Sequence, residues 1–214
     1  LEVVPGYRVD SVLGFGGFGV VYKATQLNLE RTVALKVIPL AQLSDDAAQK
    51  RFEREAIIVG QLRHPHIIAA HDYGLHNERL YLSMELIHGI DAERYVERKQ
   101  KLPESNCWNI IRQVSMALAF ASDKSVVHRD IKPSNIMLTE APVGYQLPLG
   151  IPMVKVADFG LACFNENHNR DDRITMADTA VGTPYYVSPE QLLGEEVDQR
   201  ADIYSLGATA WHLL

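Results

Sequence analysis

The run Gly14-Phe15-Gly16-Gly17-Phe18-Gly19-Val20-Val21 follows G-x-G-x-x-G-x-V, and what comes after it decides how the chain begins to fold. Glycine lets backbone N–H groups approach an anion without a Cβ in the way. The pattern alone is weak: a glycine-rich hairpin that binds nothing and a dinucleotide-binding loop both share it. The dinucleotide loop needs a strand before it and a helix after it. Here residues 20–25 are β-branched and aromatic, a strand signature. The glycines therefore read as the tip of a β-hairpin that clamps a nucleotide.

The surrounding pattern predicts two units. Residues 7–13, 20–25 and 32–38 read as strands, and 45–62 as a helix capped by Ser44 or Asp45. The inward face of that helix is Phe52, Glu55, Ala56, Val59 and Leu62, with Glu55 a carboxylate inside an apolar stripe. Two more strands fit 67–73 and 79–86, making residues 1–87 a mostly antiparallel sheet with one helix. From His88 the pattern turns helical. Cys107, Ile110, Ile111, Val114 and Leu118 mark a long amphipathic helix. Short strands are expected at 126–127, 136–138 and 154–157. Residues 162–179 form a polar stretch long enough to be a functional loop. Residues 202–214 are apolar nearly all round, as in a buried helix. The fold class is α+β, with 88–214 as a mostly helical second unit.

Two charges stand out of place in the first unit. In Val33-Ala34-Leu35-Lys36, strand alternation puts Ala34 and Lys36 on one face. A lysine in an apolar strand needs a charged partner, because burying it alone is costly. Glu55 is the other misplaced charge, and a Lys36–Glu55 pair accounts for both while leaving Lys36 aimed at phosphates.

The strongest signal is His128-Arg129-Asp130-Ile131-Lys132-Pro133-Ser134-Asn135. Asp130 can accept the proton of an attacking hydroxyl, and Lys132 can neutralise charge on a transferring phosphoryl group. Asn135 offers a neutral oxygen to a hard cation such as Mg²⁺, and Asp158 of Asp158-Phe159-Gly160 offers a carboxylate to the same region.

With these motifs in order the sequence resembles the protein-kinase family, and within it the Hanks-type serine/threonine kinases of bacteria. GFGGFGVV, VALK, HRDIKPSN, DFG and SPE carry the likeness, and FEREA, HPHII, GTPYYVSPEQ and RADIYSLG carry the bacterial leaning. The resemblance implies a bilobal kinase fold lacking its last helices, with residues 1–87 and 88–214 as the two lobes. It implies transfer of the γ-phosphoryl group of ATP to serine or threonine hydroxyls of proteins, the kinase itself included, with Mg²⁺ or Mn²⁺. It places adenine among Leu13, Val21, Ala34, Met137 and Ala157, with the backbone of Glu85 and Ile87 on its edge and Met84 as gatekeeper. Gly14, Gly16 and Gly19 cover the phosphates, Asp91 reaches the ribose, and Lys36, partnered by Glu55, holds the α- and β-phosphates. Asp130 is the base with Lys132 beside it; Asn135 and Asp158 bind the metal. His128 and Phe159 are read as packing residues.

Lys132 within DIKPSN and Thr183 within GTPYY fit the serine/threonine class; a tyrosine kinase would carry a run such as Ala-Ala-Arg after the base. The resemblance implies that Arg129 is balanced by a phosphate on the activation loop, on Thr175 first and Thr179 second. Asp202 matches the buried aspartate that ties down the catalytic-loop backbone, and Glu190 matches one that pairs with an arginine beyond Leu214. Residues 139–153, with Pro142, Pro148 and Pro152, form a longer connection than relatives have there and are expected on the surface. Ser188 replaces the alanine of many relatives.

Composition is compatible with this reading. The chain has 214 residues, 47% hydrophobic and 22% charged, enough for a core in one or two units. A net charge of −6 argues against nucleic acid or anionic lipid as a bulk partner. Cys107 and Cys163 make no CxxC pair and read as reduced thiols of a cytoplasmic protein. His64-Pro65-His66 lacks the spacing of a helical metal pair. No signal peptide or membrane span is visible, and both ends read as edges of a longer parent, where an anchor is still open. Expected partners are protein substrates bearing serine or threonine, and a second copy of the chain for autophosphorylation. Two other readings remain: a pseudokinase scaffold, expected to lack Lys36, Asp130 or Asp158, and a catalytically silent nucleotide-binding module.

Overall fold

The structure, a computed structural model, describes residues 4–16, 19–40, 56–99, 102–148, 150–159 and 184–214. It divides into two compact units, Leu1–Arg63 with Ala69–Ile87, and His64–Ile68 with His88–Leu214.

The first unit is built on a five-stranded antiparallel sheet, β1 (Tyr7–Gly16), β2 (Gly19–Gln26), β3 (Arg31–Pro39), β4 (Ala70–His76) and β5 (Arg79–Glu85), in the order β1-β2-β3-β5-β4. Most of these strands run somewhat beyond the stretch their apolar pattern predicts. Asn77 and Glu78, both at positive φ, join β4 to β5 in a two-residue turn whose twist matches the flanking strands. β3 is central and buried on both sides. Val33, Leu35 and Val37 pack with Val4, Tyr7 and Ala24, flanked by Tyr22 and Tyr81. The register places Ala34 opposite Lys23 and Met84, and Lys36 opposite Val21 and Leu82, all on the other face. On the first face the Tyr7 hydroxyl donates to Asp72 at 2.8 Å, and burial helps push its pKa up to about 12.

Of the helix expected at 45–62, residues 56–60 are helical, and Ala56, Val59 and Leu62 are buried. Residues 45–55, Phe52 and Glu55 among them, lie outside the described residues.

β4 begins at Ala70, not at residue 67 as its alternation suggests. Residues 64–68 belong to the second unit: Val156 N–H donates to the His66 carbonyl (2.9 Å) and Ile68 N–H to the Val156 carbonyl (3.0 Å). Ile67 is therefore spent on a parallel bridge rather than on the five-stranded sheet.

In the second unit β6 (Gly89–Asp91), β7 (Ile136–Thr139) and β8 (Met153–Val156) form a small antiparallel sheet. Helix α1 (Ala92–Lys99) follows β6, and α2 (Glu104–Ser122) is the long amphipathic helix. Its buried face includes Gln113, which an apolar stripe cannot reveal. The Gln113 amide donates to the Pro152 carbonyl (3.1 Å) and accepts from Val154 N–H (2.9 Å), holding the start of β8.

The strand expected at 126–127 does not form. Val126 N–H donates to the Ala121 carbonyl and Ser125 N–H to that of Ser122, with Ser125 at φ +59, so these residues terminate α2. The connection from β7 to β8 runs over the surface, pinned where the Tyr145 hydroxyl meets His66 Nε2 at 2.8 Å.

Helices α3 (Pro189–Leu193) and α4 (Gln199–Leu213) end the chain. α4 is not buried all round: Ala201, Asp202, Ser205, Leu206, Thr209 and Leu213 face inward, while Ile203 is 66% and Trp211 85% exposed. No helix among the described residues is long and apolar enough to cross a membrane.

Candidate active site

In the first unit two of the motif's glycines sit in very different surroundings. Gly19 has φ +146, and a Cβ there would overlap the Val37 carbonyl, so the sheet itself demands glycine. A Cβ on Gly14 would meet nothing within 4 Å among the described residues. Among the described residues no protein contact requires glycine there, and the resemblance places Gly14 over the phosphates of a nucleotide. Gly19→Ala should therefore destabilise the chain by about 1–3 kcal/mol, whereas Gly14→Ala should leave the melting temperature unchanged and raise the KM for ATP. Thermal melts and nucleotide titration check the pair; equal melting losses in both variants would contradict it.

Gly16 ends β1, and Gly17 and Phe18 lie outside the described residues. Leu13 is exposed, Val21 half-buried, Ala34 buried, and Lys36 only 3% exposed. At the end of β5, Glu85 N–H donates to the Ala69 carbonyl (2.9 Å) and the Glu85 carboxylate accepts from Ala69 N–H (3.3 Å). That reciprocal pair fixes the chain just before Ile87. Glu55, the expected partner of Lys36, is not among the described residues.

In the second unit the run from His128 to Asn135 is a connected network. Asp130 Oδ2 accepts from Lys132 Nζ at 2.8 Å and from Asn135 Nδ2 at 3.0 Å. The same Asn135 nitrogen donates to the Asp130 carbonyl at 2.7 Å. Asn135 thus uses its nitrogen to hold Asp130, and its oxygen is the atom left to offer a cation.

Arg129 and Asp158 both adopt left-handed backbone, at φ +68 and +61, a conformation that costs non-glycine residues energy and persists only where neighbours enforce it. For Arg129 the enforcement is visible. The Asp202 carboxylate accepts from His128 N–H (2.8 Å) and Arg129 N–H (2.7 Å). That is the tie from α4 that the motif pattern leads one to expect.

His128 does more than pack. Its Nδ1 accepts from Asp130 N–H (3.2 Å), so Nε2 carries the proton and donates to the Ala157 carbonyl (2.8 Å). Ala157 N–H in turn donates to the Asn135 carbonyl (2.9 Å), and the His128 ring meets Phe159 edge-on, centroids 4.5 Å apart. The buried imidazole joins the Asp130 segment to the peptide before Asp158. Met137, on β7 opposite Lys155, is half-buried.

Asp91 caps the start of α1, its Oδ1 accepting from Arg94 N–H at 2.8 Å. Arg94 Nε also lies 3.4 Å from its other oxygen. Thr175, Thr179, Thr183, Gly160 and Cys163 lie outside the described residues.

The protein kinase domain model matches residues 7–214. The chain belongs to the protein kinase domain family. Its curated relatives include the serine/threonine-protein kinase pkn3 of Myxococcus xanthus, 37% identical over 97% of this chain. PknF of Mycobacterium tuberculosis is 36% identical over 98% of the chain. The chain spans 37% of the length of the first of these and 42% of the second. Among solved structures, the PknI kinase domain of Mycobacterium tuberculosis superposes with a TM-score of 0.76 at 32% identity, covering 98% of this chain and 74% of that one. The kinase fold, with its antiparallel sheet in the first unit and helices in the second, is thereby shown, and the named relatives are bacterial serine/threonine kinases.

One residue of this kinase domain that the motifs do not single out is Gln191. Its side-chain nitrogen donates to the Arg129 carbonyl at 2.8 Å. The Ser188-Pro189-Glu190-Gln191 spacing is that of a helix capping box, which is the signal that could have pointed to it.

Proposed function

We propose that the chain transfers the γ-phosphoryl group of ATP to serine or threonine hydroxyls of proteins, itself included. The single observation that supports this best is the Asp130 carboxylate held between Lys132 and Asn135. The substrate hydroxyl oxygen forms a bond to the γ-phosphorus, the bond from that phosphorus to the β–γ bridging oxygen breaks, and ADP leaves. The hydroxyl proton passes to Asp130. Lys132, beside the carboxylate, offsets negative charge on the group in transfer.

Protein kinases as a family use ATP with Mg²⁺. Among the described residues no cluster of three or more His, Cys, Asp or Glu could hold a metal by itself. Asn135 and Asp158 supply two oxygen ligands, the kind of partial set on which Mg²⁺ rests when substrate phosphates and water complete its shell. Bound there, Mg²⁺, or Mn²⁺ in its place, would neutralise phosphate charge. In the first unit Lys36 would hold the α- and β-phosphates, while Leu13, Val21 and Ala34 pack on adenine and the Glu85 and Ile87 backbone binds its edge. Asp91 would reach the ribose with the carboxylate that also caps α1.

Incubation with γ-labelled ATP, Mg²⁺ and a basic protein substrate tests the reading. Label should appear on serine or threonine, and should fail to appear with chelator in excess. Nucleotide bound without turnover would favour the silent nucleotide-binding module instead.

Regulation belongs to the same proposal. Phosphate on Thr175, and secondarily on Thr179, would add about 1.5 to 2 negative charges able to pair with the Arg129 guanidinium, and would set Thr183 for substrate docking. Mass spectrometry after incubation with Mg-ATP should locate phosphate on these threonines, and replacing both by alanine should reduce activity. A fully active double variant would remove this account.

A further inference from the structure

We infer that Gln191 is a positioning residue for the catalytic loop: through its side-chain amide, the first turn of α3 fixes the peptide plane on which Asp130 is mounted. The inference rests on the reading of Asp130 as the base.

The Arg129–Asp130 peptide has two polar ends. Its carbonyl accepts from Gln191 Nε2 at 2.8 Å, and its N–H donates to His128 Nδ1 at 3.2 Å. One residue earlier, the Arg129 N–H is held by Asp202 at 2.7 Å. Rotation of this plane changes ψ of Arg129 and φ of Asp130, and so swings the Asp130 side chain. Arg129 is already in the left-handed region, at φ +68, where relaxation toward ordinary backbone is downhill unless the plane is gripped. Of these two grips, both among the described residues, the one from Gln191 is the shorter. A misplacement of about 1 Å at a reacting group costs on the order of 100-fold in rate.

Capping alone does not explain the contact. The box needs only the Gln191 oxygen, which accepts from Ser188 N–H (3.2 Å) and Ser188 Oγ (3.1 Å). The nitrogen is spent on a carbonyl 62 residues away in sequence. The anchor at the other end is firm: Ser188 is fully buried, and Ser205 Oγ on α4 donates to the Tyr186 carbonyl at 2.6 Å. The Gln191 amide thus joins the segment that ends in α3 to the loop that carries Asp130.

The two functions of that amide can be separated. Gln191→Glu keeps an oxygen for Ser188 but has no donor for the Arg129 carbonyl at neutral pH; Gln191→Ala loses both. Gln191→Glu should lower kcat by about 10- to 100-fold while the KM for ATP stays within about twofold. Amide hydrogen exchange at Arg129 and Asp130 should quicken while exchange within α3 is unchanged. Gln191→Ala should show the same loss in kcat and also quicken exchange in α3. A Gln191→Glu variant with parental kcat overturns the inference, as does a loss accompanied by equal loosening of α3, which would make the role purely structural. If the parent chain transfers no phosphate, the kinase reading has failed. The exchange measurement then decides alone whether Gln191 holds the loop, and unchanged exchange at Arg129 and Asp130 overturns it.

Discussion

Asp130→Asn should reduce kcat by about 100- to 10,000-fold, the usual range for a general base, and leave nucleotide binding and folding nearly as they were. The substitution is close to isosteric. An asparagine oxygen can still accept from Lys132 Nζ and Asn135 Nδ2, which lie 2.8 and 3.0 Å from Asp130 Oδ2. The backbone contacts of the residue, to His128 Nδ1 and Asn135 Nδ2, do not involve the carboxylate at all. What is lost is the carboxylate proposed to take a proton from the attacking hydroxyl, and the charge proposed to orient it. The side chain is 40% exposed, so stability should change by no more than about 0.5 kcal/mol. Turnover with γ-labelled ATP, nucleotide affinity and a thermal melt measure the three quantities separately. Near-parental turnover would remove Asp130 from the role of base. Turnover lost together with nucleotide binding would point instead to a collapsed loop.

The contrast between Asp130 and its supports shows what a sequence exposes and what it hides. Asp130, Lys132 and Asn135 come together as their shared motif suggests, because a run of eight residues folds back on itself through local hydrogen bonds. The strands of the first unit are legible because β3 must alternate between two faces, and Val33, Leu35 and Val37 do so against Ala34 and Lys36. Long-range uses of a residue leave no such trace. Ile67 looks like the start of β4, but its apolar side chain says only that it is buried, not beside which neighbour. Val126 has a strand residue's shape and is spent on closing α2. The amide of Gln113 is satisfied by β8 and that of Gln191 by the Arg129 carbonyl, partners 39 to 62 residues distant. The His128 ring looks like filler when burial and motif position are all the sequence offers; its two ring nitrogens acquire their roles only once Asp130 and Ala157 are placed on either side of it. Ile203 and Trp211 show the converse, since apolar character around a whole helix does not state which side is covered.

Lys36→Met should abolish measurable phosphoryl transfer and also weaken the fold. Lys36 is 3% exposed, between Val21 on one neighbouring strand and Leu82 on the other. An ammonium so buried persists only where other charges or dipoles compensate it. Methionine fills the same space with no charge, so packing on the sheet face is preserved and the electrostatic part is isolated. For activity, the loss removes the cation proposed to hold the α- and β-phosphates, and because catalysis of this kind is mainly positioning, turnover should fall by orders of magnitude. For stability, the group that compensated Lys36 is left behind, and an uncompensated partly buried charge should cost about 1–3 kcal/mol. Glu55 is the expected partner, which gives the experiment its second arm. Glu55→Gln alone should destabilise to a similar degree, and combining it with Lys36→Met should cost less than the sum of the two, because the second change removes a charge that the first had already stranded. Denaturant unfolding of the parent, both single variants and the double variant closes the cycle. Strict additivity would show that Glu55 and Lys36 do not pair, while turnover retained by Lys36→Met would overturn the phosphate-holding role whatever the cycle shows.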